Sequence, residues 1–175
     1  MERSWNSPGP EGGFSFAVTA AYVDGAWQVS RFEDDFSDPA TAERAARRSP
    51  GAAFALLCVE DDYFVVVRPT LKGVNYVLSD AVAAVEDDFA AQILDELGVD
   101  IPDLEGEDLI EAEAWAEGDL DILADFGLSE QVLEVIAEDE DSWASEQLVR
   151  LAEEIGLDEE LLDAVPGLDG LHDDD

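Results

Sequence analysis

The sequence predicts an α+β fold, in which a five-stranded antiparallel meander sheet with one long covering helix is followed by a small acidic helical module. Three observations favour this fold. The first half of the chain contains short apolar or alternating runs separated by turn residues, which is typical of antiparallel strands. From residue 80 onward, the apolar residues recur with the helical period of 3.6. The charge is also divided unevenly, since residues 1–90 hold 7 basic and 15 acidic side chains and residues 91–175 hold 1 and 30.

The strand predictions rest on short runs of apolar and β-branched residues bounded by turn signals. Asp24-Gly25, Asp61-Asp62 and Lys72-Gly73 lie between successive runs, and such pairs favour tight hairpin turns. Between the second and third strands, a helix is predicted over 38–48, with Asp38 as its cap and Pro39 in its first turn. The predicted strands are 14–23, 26–32, 52–60, 63–69 and 74–78.

The second half of the chain predicts helices. A long helix should begin at the cap residue Asp80, run to Leu97 and end at Gly98, because glycine readily adopts the left-handed conformation at a helix end. Short helices are expected at about 119–126, 129–138, 143–155 and 159–165. The predicted organisation is a disordered N-terminus (1–13), a sheet-and-helix domain (14–98), an acidic linker (99–117), a helical module (118–165) and a disordered acidic tail (166–175).

A degenerate repeat marks two helix junctions in the module. Residues 125–133 align with residues 154–162 at an offset of 29. In each copy the glycine is expected to end one helix, the following leucine to pack back on it, and Ser129 or Asp158 to cap the next helix.

The net charge of −37 limits the possible partners. A surface this negative repels phosphate backbones and anionic membranes, so we expect neither direct nucleic-acid binding nor membrane binding. The partner should be a basic protein or a cation. The N-terminal residues lack the apolar segment of a secretory signal, and no apolar run is long enough to span a bilayer, so the sequence predicts a cytoplasmic protein.

No catalytic, cofactor-binding or metal-binding residue is predicted. Cys58 lies in an apolar strand and His172 in the tail, and one cysteine with one histidine cannot form a Cys/His zinc site. The acidic stretches beginning at Asp119 and Asp139 fail the EF-hand pattern at its fifth, sixth and other positions. Paired carboxylates carry little information in a chain with 45 acids.

Three short segments carry a resemblance to a known family. VEDDYFVVVR at 59–68, VLSDAVAA at 77–84 and GDLDILADFGL at 118–128 occur in this order within a similarity over roughly residues 14–165. The chain resembles the bacterial tRNA adenosine deaminase-associated protein family. The resemblance implies an intracellular setting and a tRNA adenosine deaminase as partner, and it transfers no catalytic residue. The chain is not itself a zinc deaminase, because it contains neither H-x-E nor P-C-x-x-C.

Together these observations predict a non-catalytic accessory protein that binds a basic protein through acidic surfaces. Two alternatives remain open: a hydrolase that uses carboxylates and a divalent metal, and a domain whose acidity serves only solubility or adaptation to salt. The candidate partner-binding residues lie at the second hairpin tip, at the start of the long helix and in the third segment; they are Asp61, Asp62, Asp80, Asp119, Asp121 and Asp125.

Overall fold

A computed structural model describes residues 15–49, 52–113, 115–139, 141–165 and 168. Within these residues six strands form one antiparallel sheet: β1 (Phe16–Val23), β2 (Ala26–Arg31), β3 (Ala52–Val59), β4 (Tyr63–Pro69), β5 (Val74–Leu78) and β6 (Glu117–Gly118). Helices cover both faces of the sheet, which confirms the predicted α+β fold.

The strand order is β2-β1-β3-β4-β5-β6 and therefore differs from a simple meander. Helix α1 (Ala40–Arg48) separates β2 from β3 and packs against β1, β3 and β4. This crossing returns the chain to the far side of β1, so β3 pairs with β1 rather than with β2. Only a connection longer than a hairpin turn allows this placement.

The long helix predicted over 80–97 is divided in two. A 3₁₀ helix, Ala81–Val85, is capped by Asp80 as predicted, and helix α2, Asp88–Leu97, has a second cap at Asp87. The extended backbone of Asp87 interrupts the helix because its carboxylate accepts a hydrogen bond from the Phe89 N–H, a local bond that competes with continued helix. Gly98 ends α2 in the left-handed conformation, as predicted.

The segment predicted as an acidic linker, 99–117, contains ordered elements. Helix α3 covers Gly106–Glu111, and β6 extends the sheet by pairing with Val77 and Leu78 of β5. At Gly118 a Cβ atom would collide with the carbonyl group of Tyr76, so only glycine permits this approach. The pairing of this short sixth strand therefore depends on a single glycine.

Two apolar cores lie on the two faces of the sheet. Alternate residues of β4 divide between them, with Val65 and Val67 on the face covered by α1 and α2, and Phe64 and Val66 on the opposite face. The opposite face is covered by the helical module, so β4 is buried on both sides. This double burial explains why the strand is apolar at successive positions rather than at every second one.

The helical module contains α4 (Glu130–Ala137), α5 (Ala144–Ile155) and α6 (Asp158–Ala164), preceded by a single 3₁₀ turn at Ala124–Phe126. Gly127 and Gly156 are left-handed, and the leucines that follow them are buried, as the repeat predicted. Ser129 caps α4. Asp158 does not cap α6 but is its first residue, and Leu157 occupies the cap position.

The expectations for the chain ends lie almost wholly outside the described residues. The N-terminal stretch 1–13 is one such segment, and the acidic tail 166–175 is another except for Leu168, which is buried in the core under the helical module. In the described ranges, no helix combines the length and apolar character needed to cross a membrane.

Candidate partner-binding site

The β3–β4 hairpin tip is held in a strained turn. Glu60 and Asp61 both have positive φ, at 54° and 56°, and the Asp62 N–H donates to the Val59 carbonyl at 2.9 Å. Neither residue is a glycine, so each adopts the left-handed region at a steric cost. The turn aims the Asp61 side chain at the start of α5.

Asp61 is used inside the fold. It is 4 % exposed, and its Oδ1 accepts a hydrogen bond from the Ser145 N–H at 2.7 Å. It thereby satisfies an amide in the first turn of α5, which has no intrahelical partner. The Cys58 thiol also points to Asp61 Oδ1 at 3.8 Å, and burial, followed by the Asp61 charge, raises the pKa of this thiol far above its usual range. Cys58 is therefore a buried core residue, as predicted.

Asp80 and Asp87 cap the helices at the same end of the sheet. Asp80 Oδ1 accepts from the Val82 N–H at 2.9 Å, and Asp87 Oδ1 accepts from the Phe89 N–H at 2.9 Å. Asp87 Oδ2 also accepts a hydrogen bond from the Tyr63 hydroxyl at 3.0 Å. Burial, followed by the charge of Asp87, raises the pKa of the Tyr63 phenol. Both carboxylates are thus positioned by hydrogen bonds rather than left to move freely.

These elements enclose a groove of about 980 Å³, which we call the acidic groove. Its lining combines carboxylates from the hairpin tip and from the starts of the two helices with apolar side chains. Among the described residues, no lysine, arginine or histidine lines it. The carboxylates are those of Glu60, Asp62, Asp80, Glu86, Asp87 and Asp88, and the apolar lining includes Phe36, Val82, Phe89 and Leu109.

The carboxylates of the acidic groove repel one another. Partial burial, followed by the charges of Asp87, Asp61 and Glu86, raises the pKa of Asp62 above its usual range. No cationic side chain of the described lining offsets this repulsion. A cation entering the groove would therefore gain from the existing negative potential and would lower the pKa of Asp62.

A second depression of about 620 Å³ adjoins the groove and shares Asp62 and Asp80 with it. Its other side is formed by the turn before α5, where Trp143 is 53 % exposed. We call this depression the Trp143 pocket. Hydrogen bonds from the Asp141 amide and the Ser142 hydroxyl, followed by Arg150, lower the pKa of Asp139 below its usual range.

The remaining predicted residues lie elsewhere. Asp119 continues the pairing of β6 with β5, since its N–H donates to the Tyr76 carbonyl at 2.9 Å and its Oδ2 accepts from the Tyr76 N–H at 3.3 Å. Asp121 is exposed and lines a separate depression with Asp125 and Arg68. Arg68 is five residues along β4 from Tyr63, the residue bonded to Asp87, a spacing of about 17 Å along an extended strand.

Asp125 forms a two-point ion pair with Arg68. The guanidinium group donates to both carboxylate oxygens at 2.7 and 2.8 Å, donates to the Ile122 carbonyl at 2.8 Å, and lies 4.8 Å from the centre of the Phe126 ring. The hydrogen bonds from Arg68 lower the pKa of Asp125. This arrangement, the Arg68 clamp, attaches the start of the helical module to the sheet.

The structure thus brings Asp61, Asp62 and Asp80 together and places Asp119, Asp121 and Asp125 apart from them. The sequence did not indicate the other carboxylates of the groove, which are Glu60, Glu86, Asp87 and Asp88. Asp87-Asp88 carried one usable signal, since Asp at a helix start is a common cap. Among the described residues, no group of three or more His, Cys, Asp or Glu side chains has the arrangement to hold a metal ion.

The three segments quoted from the sequence are joined in space. Arg68 and Asp125, from the first and third segments, form the clamp, and Ser79 of the second accepts a hydrogen bond from the Phe64 N–H of the first at 2.8 Å. The first pair joins the start of the helical module to β4, and the second joins β4 to the residue that follows β5.

A family model and a known protein both match most of this chain. The family model described as "Rv3753c-like tRNA adenosine deaminase-associated protein" matches residues 15–158. Protein Rv3753c of Mycobacterium tuberculosis (strain ATCC 25618 / H37Rv) is 40 % identical over 164 residues, which cover 92 % of this chain and 93 % of that protein. No solved structure matches significantly.

Proposed function

Because the chain belongs to the Rv3753c-like tRNA adenosine deaminase-associated protein family, we propose that it is a non-catalytic accessory protein that binds a basic surface of a tRNA adenosine deaminase. The acidic groove is the proposed contact surface, with Glu60, Asp62, Glu86 and Asp88 as its exposed charges. A cytoplasmic location follows from a partner that acts on tRNA.

The acidic groove is the observation that carries this proposal. Six carboxylates from three segments line one concavity, and two of them are oriented by hydrogen bonds to backbone amides. Orienting the charges in advance reduces the entropy lost when a partner binds. The apolar residues of the lining add contact area that charges alone would lack.

A tRNA-binding enzyme is a suitable partner because it must present a basic surface to the phosphate backbone. A protein of net charge −37 is steered toward such a surface by long-range attraction. Bound there, it would occupy surface that tRNA needs. We therefore expect the protein and tRNA to compete for the deaminase.

The direct test is calorimetric titration of the full chain into the tRNA adenosine deaminase of the same organism. We expect a stoichiometric complex whose affinity falls steeply with added salt and which tRNA dissociates. A complex indifferent to salt would contradict the electrostatic basis. Absence of a complex at low salt would reject the proposal.

A pair of charge-matched variants locates the surface. The groove variant combines Asp62→Asn, Glu86→Gln and Asp88→Asn, none of which removes a helix cap. The control variant combines Glu153→Gln, Glu154→Gln and Asp163→Asn, which are exposed on α5 and α6. Both gain three positive units of net charge. We expect the groove variant to bind the deaminase at least about tenfold more weakly than the control variant. This corresponds to a loss of roughly 1.4 kcal/mol of binding free energy from three contacts. Equal affinities of the two variants would place the interface elsewhere.

A further inference from the structure

We infer that β2 receives an extended segment of the protein partner, which joins the sheet as an additional strand. The segment should be apolar at its centre and carry lysine or arginine at its ends. The inference rests on the proposed function. To the acidic groove it adds a second contact of a different kind, made by backbone hydrogen bonds.

β2 is the long open edge of the described sheet. The strand order places β2 at one end, with β1 on its inner side, and the opposite edge is β6, which is two residues long. An open strand edge offers backbone N–H and C=O groups to another extended chain. Four of the six residues of β2 are exposed, and they are Ala26, Gln28, Ser30 and Arg31.

The pairing of β1 with β2 shows which backbone groups of β2 face outward. The Phe32 N–H, directly after β2, donates to the Ala17 carbonyl at 3.0 Å. Because the backbone groups alternate sides along an antiparallel strand, those of Gln28 and Ser30 also face β1. The backbone groups that face outward are those of Trp27, Val29 and Arg31. Within the described sheet, no further strand lies beside them.

Packing on one face holds β2 in its extended conformation. The Trp27 indole N–H donates to the Ile155 carbonyl at 3.1 Å, and its ring lies edge-on to Phe54 and Phe126, with centroids 5.8 and 4.8 Å away. Val29 packs against the same core. An edge held in this way loses little backbone freedom when a partner strand pairs with it, which favours affinity.

The charges around β2 favour a basic segment over a second copy of this chain. Within β2 Arg31 is the single charged residue, whereas Asp24 precedes the strand and Glu33, Asp34 and Asp35 follow it. A segment with an apolar centre and basic ends would meet uncharged residues in the middle and carboxylates on either side. A second copy would instead bring the same acids together, and two chains of net charge −37 repel each other.

The edge leads directly to the acidic groove. After β2 the chain continues to Phe36 and Ser37, both of which line the groove. A partner bound at the groove would therefore hold its extended segment close to β2. Two contacts made by one partner strengthen each other, because the second forms at a high effective concentration.

The first test replaces Val29 by proline in titrations against the deaminase. Proline lacks the outward N–H and is tolerated on an edge strand at such a position, so β2 should stay paired with β1. We expect Val29→Pro to weaken binding about tenfold, because one hydrogen bond is lost and a carbonyl of the partner is left unpaired. Val29→Ala is the matched control, since it keeps the N–H, and it should bind within about twofold of the unaltered chain. Equal affinities of the two variants would overturn the inference.

Amide hydrogen exchange, followed residue by residue by nuclear magnetic resonance, tests the same contact without a substitution. In the free chain the outward N–H groups of Trp27, Val29 and Arg31 should exchange quickly. Those of Gln28 and Ser30 should exchange slowly, because they are bonded to β1. The deaminase should slow the outward set at least about tenfold. Outward groups that still exchange quickly in the complex would overturn the inference and spare the proposed function.

Two further outcomes are informative. If the unaltered chain does not bind the deaminase, the proposed function and this inference both fail. Sedimentation of the chain alone tests the other occupant of the edge. A dimer that Val29→Pro dissociates would assign the edge to a second copy and overturn the inference, while the groove variant would still test the proposed function.

Discussion

The Arg68 clamp should contribute measurably to stability, and replacing Arg68 by alanine tests this. The side chain is 18 % exposed, so its hydrogen bond to the Ile122 carbonyl is sheltered from water and should contribute about 1.5–3 kcal/mol. Its position over Phe126 adds about 0.5–1 kcal/mol. The pair with Asp125 adds only about 0.2–1 kcal/mol, because that carboxylate is 59 % exposed.

Arg68→Ala should therefore lower the free energy of unfolding by about 2–5 kcal/mol, measured by urea denaturation followed by circular dichroism. For a chain of this length, Tm should fall by about 4–20 °C. Arg150→Ala is the matched control, since Arg150 makes a single-point pair with Asp139 and is 46 % exposed. Its expected cost is much smaller, because an exposed single-point pair contributes little to stability.

The pH dependence of the clamp follows from the lowered pKa of Asp125. A carboxylate with a depressed folded-state pKa adds stability above the unfolded-state value of about 3.9 and loses it as the pH falls through the folded value. The difference between Asp125→Asn and the unaltered chain should thus persist at pH 5 and shrink in stronger acid. If Arg68→Ala cost no more than Arg150→Ala at pH 7, the clamp would have no special role.

Two further predictions concern the groove and the core. Asp62→Asn should stabilise the fold by a few tenths of a kcal/mol at pH 7, because the raised pKa of Asp62 indicates that its charge is unfavourable in the folded state. The gain in stability should vanish below about pH 4, where the acid is protonated in both the folded and the unfolded state. A gain that stays constant across this pH range would argue against the charge explanation. Leu148→Ala should cost about 2–5 kcal/mol, since Leu148 is fully buried between module and sheet. Tryptophan fluorescence and circular dichroism should give one midpoint for this variant, and separate midpoints would show that module and sheet unfold independently.

The acidic residues of this protein serve two purposes that composition alone does not separate. Asp61 and Asp125 are committed to amides or to arginine inside the fold. Glu86 and Asp88 instead face the groove and are exposed. The proposed function depends on the second set, whereas the first holds the scaffold that presents it. Acidic residues to be neutralised in binding experiments should consequently be those that make no hydrogen bond essential to the fold, whatever their position in an acidic run.

The strands, most turns and the helix ends could be predicted because their causes are local. Asp24-Gly25 turns the chain wherever it occurs, and Gly98, Gly127 and Gly156 end helices through a conformation that glycine adopts without steric cost. The five main strands likewise follow from runs of apolar residues. The break between the 3₁₀ helix and α2 was missed because the apolar residues keep the helical period across it. The helix is interrupted there only because the side chain of Asp87 caps α2.

By itself, the sequence determined the class of fold and the local elements, which depend on backbone preferences and hydrophobic periodicity, and its total charge predicts a cationic partner. Only the tertiary structure decided that β3 lies beside β1, that Gly118 admits a sixth strand, and which few of the 45 acids converge. The physical reason is that convergence joins positions far apart in the chain. Asp62 and Trp143 are 81 positions apart and share one pocket because the hairpin tip caps α5, a contact that no local pattern encodes.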